Sequence, residues 1–224
     1  MGKTNNKRLS GTFEREIAEE LSLWWTKGKD DSVFWRSQTS GGRATVRSRK
    51  GKKTLGQHSD LCPTAPCAFP MIRAAVIEIK KGYAKHSLQD LIDTMARGGH
   101  DEAPSMTGQW LQKAIHDHQC EGSYSWMIIT RRNSRKKMVI LDQKLYEILR
   151  LLRTGVDKIS RRIHIFAWVP AVYHKPKGKS KRELLFKARN IGCVAMPYDK
   201  FFKRVQRSHF EKIAKLHKSQ SKKK

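Results

Sequence analysis

Two charged residues, Glu78 and Lys80, lie within the otherwise apolar run at residues 74–80. Pro70 and Gly82 bracket this run, which predicts a buried β-strand. Alternate residues of a strand share a face, so Glu78 and Lys80 would lie on one face about 7 Å apart. A buried carboxylate and ammonium are costly unless they pair or bind something. Two interpretations remain open: a salt-bridged pair at a strand end, or a metal site in which Glu78 binds a hard cation and Lys80 faces the attacking water or a scissile phosphate.

A second carboxylate, Asp60, lies upstream of this strand. It is followed by a proline-rich stretch, which predicts that a strand next to Asp60 forms a hairpin with the strand at residues 74–80. Asp60 and Glu78 would then lie side by side. Two adjacent carboxylates repel each other unless a cation lies between them. The pair therefore adds weight to the metal-site interpretation.

Glu14 is a third candidate. Its apolar neighbours recur at helical spacing, which predicts a helix from about residues 10–12 to about Trp25. Glu14 falls on the core-facing stripe of this helix, whereas the other glutamates of the helix point away from it. A carboxylate on such a stripe is costly unless it serves a site. The alternative is that Glu14 lies at the edge of the stripe and pairs with a nearby arginine or lysine.

The composition indicates a globular protein with a polyanionic partner. The chain has 224 residues, of which 38% are hydrophobic, and a formal net charge of +27. This length suits one domain with extensions, or a domain and a half, and the apolar content is enough for a core. The charge favours nucleic acid as the partner, with an anionic membrane surface as the second choice. A membrane span needs about 20 consecutive apolar residues, and no run in the sequence approaches that length.

The four cysteines are too few and too scattered to predict a disulfide framework. Reduced thiols are therefore expected, and a zinc site built from Cys62, Cys67, His118 and Cys120 is the alternative. The N-terminus is polar and has no apolar segment of the signal-peptide type. We expect a soluble cytoplasmic protein of a bacterial or phage-infected host cell.

Several basic or glycine-containing segments are expected to contact a nucleic-acid backbone. Paired glycines beside hydroxyls and an arginine allow the backbone to approach a phosphate closely, and clustered cations bind phosphates without reading sequence. Glycine turns and solvated loops are the alternative for each segment. The residues predicted to bind nucleic acid are Ser40, Gly41, Gly42, Arg43, Arg47, Lys81, Tyr83, Lys85, Arg131, Arg132, Lys177 and Lys179.

The remaining pattern alternates between helices and strands, which predicts an α/β protein. Helices are expected after Ser87, near residues 109–118 and after residue 144, and strands are expected at residues 124–130, 138–141, 163–169 and 193–196. We predict four parts: a basic mobile lead at residues 1–10, a core at 11–130, an α/β extension packed on or near it at 131–207, and a basic C-terminal helix and tail at 208–224.

The order of these features resembles the PD-(D/E)xK nuclease superfamily. The resemblance rests on Glu14 in the first helix, the glycine loop at residues 40–42, Asp60, and the Glu78-x-Lys80 strand. It covers roughly residues 11–130, and the local spelling is similar to archaeal Holliday-junction resolvases and small phage-encoded nucleases. It implies a restriction-endonuclease-like α-β-β-β-α-β core with a mixed sheet flanked by helices. Ser59 stands where the superfamily has a proline, and the insert between Asp60 and Glu78 is longer than in compact resolvases.

The resemblance also implies a function and a residue set. Glu14, Asp60 and Glu78 would be the acidic ligands, Glu14 through a water if not directly, the carbonyl of Ile79 would complete the metal shell, and Lys80 would be the catalytic lysine. The expected protein is a Mg²⁺-dependent DNA endonuclease, with Mn²⁺ as a substitute, duplex or branched DNA as substrate, and a homodimer as an expected assembly. The alternative is a basic nucleic-acid-binding protein that retains the fold without catalysis.

Overall fold

The computed structural model of the protein describes residues 3–37, 58–81, 106–169, 172–174, 183–186 and 189–221. The glycine loop, the basic segment at residues 43–53, the helix expected after Ser87 and the basic loop at residues 175–182 lie outside the described residues. In chain order, the helices are α1 (Lys3–Thr26), α2 (Phe69–Ala74), α3 (Met106–Glu121), α4 (Gln143–Leu151), α5 (Tyr198–Arg204) and α6 (Arg207–Ser221). The strands are β1 (Phe34–Arg36), β2 (Leu61–Pro63), β3 (Ala75–Lys81), β4 (Ser125–Arg131), β5 (Met138–Asp142), β6 (Ile163–Val169), β7 (Val172–His174), β8 (Glu183–Phe186) and β9 (Arg189–Pro197).

The first helix forms because its apolar residues recur once per turn and meet the sheet. Phe13, Ile17 and Leu21 are fully buried on that side of α1. The helix ends where Gly28 adopts a positive φ of 81° and its N–H donates to the carbonyl of Leu23 at 2.7 Å. The predicted end near Trp25 is confirmed, but α1 begins at Lys3 rather than at residues 10–12. Residues 3–10 therefore continue the helix.

A five-stranded mixed sheet forms the centre of the molecule, in the order β3-β4-β5-β9-β6. Strands β3 and β4 are parallel, and the other neighbouring pairs are antiparallel. Helix α3 makes the crossover from β3 to β4. This arrangement confirms the predicted α/β class and the mixed sheet flanked by helices. In β3 and β4 five consecutive residues are buried, because both faces of these strands are covered.

The two faces of the sheet have separate apolar cores. One face, which we call the α1 face, packs Ile77 and Ile79 of β3 against α1 and the C-terminal helices. The opposite face, the α3 face, packs Trp126 and Ile128 of β4 against Leu111 and other residues of α3. Because residues alternate along β3, Glu78 and Lys80 belong to the α3 face. The predicted pairing of these two residues on one face is confirmed.

The chain after β4 continues the same sheet. Strand β5 pairs with β4 on one side and with β9 on the other. The predicted boundary near residue 130 therefore falls between β4 and β5, which are paired. At the C-terminus, α6 buries Phe210 and Ile213 in the core of the α1 face, next to Trp24 and Trp25. The predicted basic C-terminal helix is present, and its apolar side is part of this core. In the described ranges, no helix combines the length and apolar character needed to span a bilayer.

Candidate active site

Backbone hydrogen bonds hold Asp60 beside β3. The residue immediately precedes β2, and its N–H donates to the carbonyl of Ile77 at 3.2 Å. Its own carbonyl accepts from the N–H of Ser37 at 2.9 Å. Its carboxylate oxygen Oδ2 accepts from the N–H of Ile79 at 2.9 Å. Asp60 lies beside β3 as predicted, but the predicted hairpin is wrong, because β2 forms its ladder with β1 and not with β3.

The buried serine before Asp60 forms the local turn. The hydroxyl of Ser59 donates to the carbonyl of Leu61 at 2.5 Å and accepts from the N–H of Leu61 at 3.1 Å. These two bonds bend the chain between Asp60 and β2, as serine side chains often do in tight turns. Ser59 therefore stabilises this turn through its side chain, where the superfamily pattern has a proline that restricts the backbone.

Lys80 joins the two carboxylates. Its Nζ atom lies 3.0 Å from Oδ2 of Asp60 and 3.1 Å from Oε1 of Glu78. Both carboxylates are almost completely buried: the relative exposure is 4% for Asp60 and 0% for Glu78. Charge-assisted hydrogen bonds of this kind offset the cost of burying the carboxylates. The structure thus brings together Asp60, Glu78 and Lys80, as the sequence predicted.

A second lysine, Lys113 of α3, completes the cluster and was not predicted. Its Nζ atom contacts both oxygens of Glu78, at 2.7 Å from Oε2, and lies 3.8 Å from Oδ1 of Asp60. It also donates to Oδ2 of Asp117 at 2.9 Å. A signal for this pair was present in the sequence. Asp117 lies at the edge of the apolar stripe of α3, beside Trp110, and follows Lys113 by four residues, which is the spacing of a helical ion pair.

The surroundings shift the pKa values of Glu78 and Asp60 in opposite directions. Burial and the neighbouring Asp60 raise the pKa of Glu78 to about 8. Burial also acts to raise the pKa of Asp60, but Lys80 and Lys113 outweigh it, so the pKa of Asp60 lies below its ordinary value. Burial opposes charge on Lys80, yet the two carboxylates raise its pKa. The two carboxyl groups titrate as a coupled pair, in which Asp60 is the one that ionises more readily.

Glu14 forms an ion pair with an arginine. Its carboxylate is 3.5 Å from Nε of Arg36 at the end of β1, and its side chain is 16% exposed. This is the ion pair that was considered as the alternative for Glu14. Within the described residues, no group of three or more His, Cys, Asp or Glu side chains is arranged to hold a metal ion. A direct ligand set of Glu14, Asp60 and Glu78 is therefore not assembled, and a role for Glu14 through a bridging water stays a prediction.

Asp60, Glu78 and Ile79 nevertheless fit a hard divalent cation. Two carboxylates are a sufficient protein contribution for Mg²⁺, which keeps several waters and binds substrate phosphates. Ile79 directs its N–H toward Asp60 rather than toward β4, and the carbonyl of the same strand residue points to that side as well. The same carboxylate oxygens accept hydrogen bonds from the ammonium groups of Lys80 and Lys113, with which a bound cation would compete. The fit rests on this donor set of carboxylate and carbonyl oxygens.

The zinc alternative is wrong. Cys62, Cys67, His118 and Cys120 are all described, and no metal-binding group includes them. Cys193 is buried, and burial raises the pKa of its thiol to about 12. All four cysteines are free thiols, as predicted.

The residues predicted to bind nucleic acid are described only in part. The guanidinium of Arg131 donates to both carboxylate oxygens of Glu16, each at 2.8 Å, and lies over the ring of Phe13. Lys81 also lies over Phe13, and Arg132 is exposed. Their contacts with DNA stay predictions. Outside the described residues lie Ser40, Gly41, Gly42, Arg43, Arg47, Tyr83, Lys85, Lys177 and Lys179.

The fold and the cluster have the arrangement of the PD-(D/E)xK nuclease superfamily: a first helix, Asp60 just before β2, Glu78-x-Lys80 on β3, and a crossover helix to a parallel strand. Residues 5–169 match the family model described as "Phage putative PDDEXK endonuclease". The match covers more than half of the 224 residues, and the chain belongs to this family. It runs from residue 5 in α1 to the end of β6 and leaves out β7, β8, β9, α5 and α6. No curated protein matches the chain, and no solved structure matches it.

Proposed function

We propose that the protein is a metal-dependent DNA endonuclease that hydrolyses phosphodiester bonds. The observation that carries the proposal is the convergence of Asp60, Glu78 and Lys80 at the end of β3 in a chain of a PDDEXK endonuclease family. A binding protein has no need to bury two carboxylates almost completely in its sheet. A nuclease does, because buried carboxylates hold a cation in a fixed position beside the substrate.

Mg²⁺ is the proposed cofactor, and Mn²⁺ is expected to substitute for it. Asp60, Glu78 and the carbonyl of Ile79 would hold the cation. When bound, such an ion polarises the phosphate and lowers the pKa of a bound water. The three backbone hydrogen bonds at Asp60 hold its carboxylate in a defined orientation before any ligand arrives.

The two lysines would have separate tasks. Lys80 lies between the carboxylates, with its side chain 16% exposed, so its ammonium can donate to a phosphate oxygen or to the attacking water as negative charge develops on phosphorus. Lys113 lies on α3, which packs over β3, and it donates hydrogen bonds to Glu78 of β3 and to Asp117 of its own helix. It positions the Glu78 carboxylate and balances its charge. Glu14 would support the site through a water from the direction of Arg36.

DNA is the proposed substrate. The family implies it, and the formal charge of +27 provides strong, sequence-independent attraction to phosphates. A resolvase would prefer four-way junctions, whereas a phage-type nuclease would cut duplex or nicked DNA. A homodimer is the proposed assembly for symmetric double-strand cleavage.

The test is a cleavage assay with and without Mg²⁺ on supercoiled plasmid, linear duplex and a four-way junction. Wild type is compared with Lys80→Met and with Lys215→Met, which removes the same charge from an exposed position on α6. We expect metal-dependent cleavage by wild type and Lys215→Met, and none by Lys80→Met. The preferred substrate would then identify the subclass. Cleavage by Lys80→Met at the wild-type rate would contradict the assigned role of this lysine.

A second candidate function is a nucleic-acid-binding protein that retains the fold without catalysis. The observation that favours it is the internal charge balance of the cluster, in which two ammonium groups bind the carboxylates directly. Such a cluster can be a purely structural ion network. If wild type binds all three DNA substrates and cuts none of them with Mg²⁺ or Mn²⁺, this second function replaces the first.

A further inference from the structure

One end of the sheet brings together the candidate site and the C-terminal part of the chain. Lys80 near the end of β3 is in register with Thr130 of β4, Thr130 with Met138 of β5, and Met138 with Pro197 of β9. Strands β3, β4 and β9 therefore finish, and β5 begins, at the same end of the sheet, which we call the active-site end. Helix α5 starts directly after Pro197. Strand β6 also begins near this end, because Ile163 is in register with Ala195.

Cationic side chains follow the active-site end from strand to strand. The turn that joins β4 to β5 lies there, and its Arg135 and Lys136 are exposed. On either side of this turn, Arg131 and Lys137 bind the acidic residues Glu16 and Glu20 of α1, which reduces the effect of these carboxylates on an approaching anion. Cations therefore dominate the solvent-facing part of this end between β3 and β9.

A cleft beside α5 continues this series of cationic side chains. The cleft has a volume of about 330 Å³ and is lined by Lys158, Ile159, Ser160, Asp199, Lys200, Lys203 and Arg204. Four of these side chains are cationic, and one is a carboxylate. Ser160 accepts a hydrogen bond from Nζ of Lys200 at 2.8 Å, which holds that ammonium at the cleft. Gly155, with a positive φ of 76°, lies beside Arg204.

We propose that this α5 cleft binds the sugar–phosphate backbone of DNA and anchors the substrate at a distance from the cleavage site. This inference rests on the proposed nuclease function and adds a binding surface to it. Three to four interstrand spacings of about 4.8 Å separate β3 from β9 and β6, so the strand ends beside the cleft lie roughly 14–19 Å along the sheet from the end of β3. Phe201 and Phe202 of α5 pack in the core of the α1 face, so the cleft lies on that side of the sheet and Lys80 on the other. Phosphates along one strand of duplex DNA are about 3.4 Å apart in rise, so a backbone that reaches both would span at least roughly four nucleotides.

Four of the seven residues that line the cleft lie outside the part of the chain that matches the endonuclease family. The match ends at residue 169, whereas Lys200, Lys203 and Arg204 belong to α5. The matched part contains the cluster of Asp60, Glu78 and Lys80. The C-terminal part would thus add affinity for the DNA backbone without adding groups to the chemistry.

The experiment measures binding of a fluorescent duplex of about 24 base pairs in EDTA over a range of salt concentrations. The triple variant K200Q/K203Q/R204Q is compared with K212Q/K215Q/K218Q, which removes the same charge from exposed positions of α6. This control lies toward the other end of the sheet, where His217 contacts the carbonyl of Gly122 at 2.8 Å. We expect at least about tenfold weaker binding for the cleft variant, and a salt slope smaller by about 2 to 3, since each phosphate contact contributes about 0.9.

Equal losses in the two triple variants would overturn the proposal, because they would show an effect of net charge alone. Should the cleft variant fail to fold, Lys203→Cys carrying a photoreactive crosslinker replaces it, and Lys215→Cys is its control. Crosslinking to DNA from both positions equally would also overturn the proposal. Binding is measured without metal, so absence of cleavage by wild type would refute the proposed catalysis and leave this comparison unaffected.

Discussion

Lys113 of α3 contacts both carboxylate oxygens of Glu78 on β3, with 2.7 Å between Nζ and Oε2. The two residues are 35 positions apart in the chain. Their contact fastens the crossover helix to the strand that carries the candidate chemistry. It also gives the fully buried Glu78 a second cationic partner besides Lys80. Lys113 is consequently the residue whose replacement tests most directly how the cluster is balanced.

Replacing Lys113 by methionine should lower the free energy of unfolding in EDTA by about 1.5–3 kcal/mol, the value of a charged hydrogen bond. The physical reason is that Glu78 and Asp117 lose a shared donor in a buried environment. Urea unfolding measures the change, and Lys215→Met on exposed α6 should change stability by less than about 0.5 kcal/mol. Added Ca²⁺ should raise the melting temperature of Lys113→Met more than that of wild type, because the ammonium no longer competes for the carboxylates. Equal stability of the two variants would show that the contact contributes nothing.

Glu14 and Glu16 should respond differently to replacement by alanine. Glu14→Ala is expected to lower kcat by about tenfold or more, as loss of an outer group around a metal site does. Glu16→Ala removes the paired hydrogen bonds to Arg131 and should cost about 1 kcal/mol of stability while kcat stays within about twofold. Cleavage rates and unfolding curves of both variants provide the comparison. If Glu16→Ala abolishes cleavage to the same extent as Glu14→Ala, the assignment of Glu14 is wrong.

The C-terminal helix should be indispensable for stability. Phe210 of α6 is fully buried against the tryptophans of α1. Phe210→Ala should therefore destabilise the protein by about 3–5 kcal/mol. Leu216 on the same helix is 44% exposed, and Leu216→Ala should cost less than about 1 kcal/mol. Thermal or urea unfolding distinguishes the two variants. A small effect of Phe210→Ala would mean that α6 is a dispensable appendage of the core.

Acidification should weaken the start of α6 through His209. Burial, and secondarily Lys212, lowers the pKa of His209 below the ordinary 6.5, and its Nδ1 accepts a hydrogen bond from the N–H of Gln206 at 2.9 Å. Below pH 6.5 the unfolded chain therefore binds a proton more readily than the folded one. The stability that His209 contributes is present above pH 6.5 and is lost as the pH falls below it.

The matched measurement for His209 is the melting temperature of wild type and His209→Asn at pH 7.5 and pH 5.5. Wild type should lose more stability between these values than the variant, because asparagine does not titrate. Identical losses would assign the pH dependence to other groups. The comparison between the two proteins cancels the contribution of histidines that they share.

Local patterns were sufficient for most elements. The strand at residues 74–80, the helix that contains Trp110 and Ile115, and the strands near residues 125, 139, 165 and 194 follow from apolar periodicity and are present. The start of α1 was placed too late, because residues 3–10 lack an apolar stripe and their helix depends on continuation from the buried turns that follow. The bond from Lys113 to Asp117 follows a helical spacing that the sequence contains, but the contacts of Lys113 with Glu78 and Asp60 depend on the packing of α3 on the sheet, which no local pattern specifies.

The sequence by itself determined that the protein is a basic α/β chain with Glu78 and Lys80 on one face of a buried strand, since the alternation of side chains along a strand is a local property. It also supported the placement of Asp60 near Glu78. The tertiary structure decided that two lysines from different elements share those carboxylates, that Glu14 pairs with Arg36, and that α5 and the strand ends form one cationic row. These outcomes depend on strand order, register and helix docking, which join residues far apart in the chain and which no local pattern specifies.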